Sequence, residues 1–184
     1  MPENKVQFNL KNVHYSKITV SGGVVSYATP VAIKGAVSLS LDAQNSDTKF
    51  YADGILYYTQ SYLSSYEGDL EVARINDQFL KDILGFDETN TNTLLQENVT
   101  VEPSNFALLF QIDGDQESEY YVFYNCSASK PSVNASTIED TKEPQTQTIT
   151  ITASPLSDGV IKARTTSTTP STVKTNWFTT VYTD

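Results

Sequence analysis

YEGDLEVARINDQFLKDILGF, residues 66–86, contains both kinds of secondary structure that the chain uses. Its first half, YEGDLEVARI (66–75), reads as a strand. Its second half changes period. Asn76 is placed to cap a helix and Asp77 sits in the first turn. Phe79, Leu80, Ile83 and Leu84 then recur at the spacing of one helical face. Gly85 stands where a helix ends in a left-handed residue. The spacing predicts one short helix over about 76–84, held by packing of its apolar face because so few turns are not stable alone.

Outward from this stretch the pattern is strand. Upstream, KFYADGILYYT (49–59) places Asp53-Gly54, a hairpin dipeptide, between two aromatic runs; one strand with a glycine bulge fits equally. AVSLSLD (36–42) alternates, with Val37, Leu39 and Leu41 on one face and Ser38, Ser40 and Asp42 on the other. FNLKNVHYSKITV (8–20) alternates with slips between Leu10 and Val13 and between Tyr15 and Ile18, a long strand with bulges ended by Gly22-Gly23. Downstream, NFALLFQI (105–112) and EYYVFYNC (119–126) flank the acidic turn DGDQES, and TQTITITA (146–153), GVIKARTT (159–166) and TVKTNWFTTVY (172–182) read as further strands. Residues 127–145 have no apolar period and read as an exposed polar loop. The reading is a mainly β chain of about nine or ten strands and one helix. It forms a single domain over 1–184, with a flexible arm at about 1–7 and the loop at about 127–145.

The formal net charge is −10. That balance argues against gripping nucleic-acid phosphate, which needs clustered Lys and Arg. Cys126 is the only cysteine, so no disulfide forms within the chain, and a reducing compartment is expected. The first residues show no secretory pattern, and no run approaches the ~20 apolar residues of a membrane span.

No residues assemble into a catalytic or cofactor site. His14 is the only histidine and lies within a strand, so it reads as structural, and Cys126 reads as a buried thiol. One of each cannot make a zinc site. Asp113, Asp115 and Glu117 have the spacing of calcium ligands, but Ser118 and Tyr124 stand where such a loop needs Gly and Glu. The turn reads as solvated. The sequons at Asn98, Asn125 and Asn134 and the eleven tyrosines suggest a second class, a secreted sugar-binding or adhesin module. Abundant Ser and Thr produce such sequons by chance, and Tyr is a common strand residue. The expectation is a protein that is no enzyme and holds no metal or cofactor.

FNLKNVHYSKIT resembles the GLKNVHYA-like opening of the major tail proteins of bacteriophages with long, non-contractile tails. KFYADGILYY is similar to that family's FYADN-type segment, and YEGDLEVARINDQFLKDILGF to its Y-G-LEL-I-D-F-ILG stretch. NFALLFQI, EYYVFYNC and a Thr-rich strand follow in the same order. The resemblance spans roughly residues 7 to 153, with Asn9 and Gly54 departing from it. It implies a two-sheet antiparallel β-sandwich with one flanking helix, working as a structural virion protein. Six copies would form a ring, and stacked rings a tail tube, assembled in the host cytoplasm. Other tail proteins would bind the tube ends, and double-stranded DNA would pass through the bore without specific binding. An acidic bore is expected on physical grounds, with Asp42, Asp69 and Glu71 as candidate wall residues, because a basic wall would hold DNA.

Overall fold

The computed structural model describes residues 4–89, 92–135, 137 and 144–183. The strands are β1 (Gln7–Ser21), β2 (Val24–Tyr27), β3 (Val31–Ala32), β4 (Ala36–Ala52) and β5 (Ile55–Val72). Helix α1 (Asp77–Asp82) follows, then β6 (Phe86–Glu88), β7 (Leu95–Glu97), β8 (Phe106–Gly114), β9 (Ser118–Ala128), β10 (Gln147–Ala153), β11 (Lys162–Arg164) and helix α2 (Ser171–Thr175). The chain is mainly β, with a large antiparallel sheet in the order β2-β1-β8-β9-β10-β5-β4 and a small second sheet, β6-β7.

Strand β9 turns the large sheet into two layers. Its Cys126–Ala128 end pairs with β10, whereas Tyr121–Phe123, on the same side, pairs with β11. Past that switch the β1-β8-β9-β11 half and the β10-β5-β4 half separate and face each other. Val13 and Tyr15 of β1, Phe106, Leu108 and Phe110 of β8, Leu70 and Val72 of β5 and Ile149 and Ile151 of β10 form the core between them.

Helix α1 closes one end of this core. The Asn76 side chain accepts from the Phe79 amide at 2.8 Å, the expected N-cap, whereas the helix is capped at Ile83, earlier than expected, and Gly85, two residues on, takes φ 73°. Phe79, Ile83 and Leu84 are fully buried and Leu80 partly so. The Phe79 ring meets Tyr15 and Phe106 edge-on at 5.0 and 5.5 Å. The Tyr15 hydroxyl donates to Asp82 at 2.8 Å, tying the helix back to β1.

Several local expectations need correction. ILYYT and YEGDLEV belong to one strand, β5, and with β4 they form a single long hairpin around Asp53 (φ 53°) and Gly54 (φ 77°). Val37 does not join Leu39 and Leu41 on the core face. The ladder slips between Ala36 and Ser38, and Val37 is turned outward. In β1 the slip after Lys11 is present, but the one after Tyr15 is not a bulge in the β8 ladder. Ser16 is buried there, its hydroxyl donating to the Ala28 carbonyl, and from Ile18 the strand pairs with β2.

The largest correction is TVKTNWFTTVY, expected as strand. It forms α2 and a run of turns beginning at Pro170. Val173, Trp177 and Val181 recur every four residues and lie over Ala107, Leu109, Val122 and Tyr124 on the outer face of β8 and β9. The Trp177 indole donates to the Tyr121 carbonyl at 3.3 Å, and the Tyr124 hydroxyl to the Tyr182 carbonyl at 2.9 Å. This cover explains why FALLF is apolar at consecutive positions: β8 is buried on both faces.

Part of the arm at 1–7 and part of the loop at 127–145 lie outside the described residues. Of the arm, Asn4 is bound to the β8–β9 turn. Its side chain donates to the Glu117 carbonyl at 2.8 Å and accepts from the Gln116 and Glu117 amides at 3.0 Å. Of the loop, 127–128 complete β9, and 129–135 are irregular, with Lys130 paired to Glu97 at 2.8 Å.

Candidate functional site

The outward face of β10-β5-β4 is built by register. Ser38, Ser40 and Asp42 of β4 lie opposite Glu71, Asp69 and Glu67 of β5. These in turn lie opposite Thr148, Thr150 and Thr152 of β10. The alternate positions, Leu39, Leu41, Leu70, Ile149 and Ile151, point into the core. Leu41 sits opposite Gly68, where any side chain would strike the strand beside it: a Cβ there would fall 1.9 Å from the Ser40 carbonyl oxygen.

Four carboxylates and five hydroxyls thus share one face, with no Lys or Arg among these strand positions. Thr150 donates to Asp69 at 2.8 Å. Thr146 and Ser38 donate to the two oxygens of Glu71 at 2.6 and 3.0 Å. Those bonds, the one from Thr146 foremost, hold the Glu71 carboxyl below its ordinary value. These two hydroxyls therefore favour the charged form of Glu71 without supplying a cation. Asp42, Asp69 and Glu71 are together as expected, and Glu67 completes the set.

This face ends at a free edge. Among the described residues β4 pairs with β5 alone along its whole length, Ala36–Ala52, so its other side presents unpaired backbone donors and acceptors. Beyond Tyr66 β5 also loses its second neighbour, because β10 pairs only with Tyr66–Val72. The distal hairpin therefore projects as a two-stranded ribbon about 30 Å long, at 3.2–3.4 Å per residue. It ends in Phe50, Tyr51, Ile55, Leu56, Tyr57 and Tyr58, all exposed, Tyr57 to 71%. The aromatics of KFYADGILYYT are therefore not core residues.

The other chemically suggestive residues are accounted for locally. His14 is partly buried, stacks on Phe178 at 4.5 Å and sets Nδ1 2.8 Å from the Asn12 carbonyl oxygen; burial lowers its pKa. Cys126 is fully buried, and that burial pushes its thiol up to about 12. Asp113, Asp115 and Glu117 do not converge. Asp113 pairs with Lys11 at 2.6 Å, Asp115 accepts from the Lys5 amide at 2.7 Å, and Glu117 pairs with Lys174 at 2.6 Å. Among the described residues no group of three His, Cys, Asp or Glu side chains could hold a metal ion, and no helix is long and apolar enough to cross a membrane. No known protein family matches the chain, and no curated protein is significantly similar to it.

Proposed function

We propose that the chain is the repeating subunit of a tube, the tail tube of a long-tailed bacteriophage, in which copies join edge to edge into rings and rings stack. The observation that carries this reading is the acidic, hydroxyl-rich sheet face ending at the unpaired edge of β4. An unpaired strand of this length is a template for another strand, and joining sheets around a ring removes such edges. The face that would then line the bore bears Asp42, Glu67, Asp69 and Glu71 and no cation at these strand positions. DNA carries about one negative charge per 1.7 Å of axis. An acidic wall repels it and leaves a hydrated layer through which it slides, within a screening length of about 8 Å at physiological salt. The resemblance of residues 7–153 to phage major tail proteins supports the same reading.

Negative-stain microscopy of the concentrated protein tests it. Rings or tubes on the order of a hundred ångström across are expected. A chain that stays monomeric at every concentration and binds immobilised glycans would replace this reading with that of a sugar-binding module.

A further inference from the structure

The end of the sandwich opposite α1 is open. There β1, β8 and β4 leave a cleft of about 380 Å³. Leu10, Leu39, Leu41, Phe110 and Ile112 form its walls, and Phe8, 71% exposed, stands at its lip. Lys162 is on the rim, its ammonium 4.4 Å above the Tyr66 ring. A cavity of about 150 Å³ holds one benzene ring, so this cleft has room for two ring-sized groups.

An apolar knob to match is present at the tip of the β4–β5 hairpin. That tip cannot enter its own cleft. Strand β4 supplies Leu39 and Leu41 to the wall and then runs on to Ala52, which carries the tip about 30 Å away at 3.2–3.4 Å per residue. The charges match as well. Asp53 is the only carboxylate between Lys49 and Tyr58, and neither it nor Lys162 has an ion-pair partner among the described residues.

We infer that the cleft between β1, β8 and β4 receives the β4–β5 hairpin tip of a second copy of this chain, with Leu56 and Tyr57 entering, Ile55 against Phe8 at the lip and Asp53 meeting Lys162. The contact is heterologous: each copy offers one knob and one cleft, so it propagates head to tail without closing on a pair. Contiguous exposed apolar side chains mark interaction surfaces, and here knob and cleft are satisfied together. The inference deepens the tube reading by naming one contact between copies.

Disulfide trapping tests it with full-length chains. Ile55→Cys in one preparation and Phe8→Cys in another replace exposed side chains, so neither variant loses core packing. Cys126 is buried and does not compete. On mixing under mild oxidation, the mixed dimer, one Ile55→Cys chain bonded to one Phe8→Cys chain, is expected as the main product. Adding Leu56→Ser and Tyr57→Ser to the Ile55→Cys chain should reduce its yield at least tenfold. A main product joining two Ile55→Cys chains would overturn the inference in favour of tip-to-tip pairing, and absence of any cross-link would overturn it outright. Tubes seen by microscopy without the mixed disulfide would remove this contact and leave the tube reading standing. The mixed disulfide formed in open chains that never make tubes would do the reverse.

Discussion

Truncating Phe79 to alanine asks whether α1 is a plug for the core or an ornament on its surface. Phe79 is 1% exposed and sits edge-on to two rings, Tyr15 and Phe106. Phe-to-Ala changes in cores cost about 3–5 kcal/mol, more where the site cannot collapse. Collapse is restricted here, because the Tyr15–Asp82 bond and the Asn76 cap hold the helix on its seat. A loss of about 4 kcal/mol is therefore expected, and for a domain of this size it lowers the melting temperature by about 8–16 °C. Phe79→Leu, which keeps most of the volume, should cost only about 1 kcal/mol. Urea unfolding followed by circular dichroism and by the single tryptophan, Trp177, measures both. A Phe79→Ala protein that loses less than about 1 kcal/mol would refute the plug. Phe79→Asp adds a buried unpaired charge and should abolish folding and assembly together; tubes at normal yield would refute that.

Four further outcomes are expected. Gly68→Ala forces β4 off β5 at Ser40 and should cost about 1–3 kcal/mol, with amide-exchange protection lost first along that ladder. Trp177→Ala should cost about 3–5 kcal/mol and expose residues 171–182 to limited proteolysis; unchanged cleavage would show that the segment does not depend on this anchor. Asp113 and Asp115 are held below their ordinary values, foremost by Lys11 and by the Lys5 amide; burial raises Glu119, but bonds from Tyr121, Asn4 and Arg164 outweigh it. Their stabilisation is complete above about pH 5 and is lost as pH falls through the lower folded values. Asn4→Ala should therefore move acid unfolding to higher pH, read by circular dichroism. Finally, tubes carrying Asp42→Lys, Asp69→Lys and Glu71→Lys should retain DNA at low salt and release it as salt rises; release at the wild-type rate would refute the acidic wall.

The parts of this fold legible in the sequence are those whose cause is local. Asn76, the Phe79–Leu84 face and Gly85 lie within a dozen residues, and Asp53-Gly54 specifies its own turn. Val37 was not legible, because its outward turn comes from a slip against a strand more than thirty residues away. TVKTNWFTTVY misleads by composition. Its β-branched residues favour strand, and the four-residue spacing of Val173, Trp177 and Val181, with Pro170 before it, was the signal to weigh instead. The acidic face was half legible: Glu67, Asp69 and Glu71 alternate within one strand, but only the ladders bring Asp42 and the β10 threonines beside them. The free edge and the open cleft were not legible, since each is defined by what does not pair or cover it.

The pairing of β1 with β8 has a consequence for how the chain is made. β1 can pair early with β2 through the turn at Gly22-Gly23, which involves only Ile18–Ser21. Its core-facing half, Gln7–Lys17, gains its main partner only when Phe106–Gly114 is available. On a ribosome adding 5–20 residues per second, that is a delay on the order of 5–20 s. Meanwhile the β4–β5 hairpin, closed by its own turn, is complete long before the sandwich it belongs to. The segment that reaches outward thus forms before the core that anchors it. Slowing synthesis between residues 72 and 106 should therefore lengthen the life of a chain with a finished hairpin and no finished core, the state most exposed to premature association.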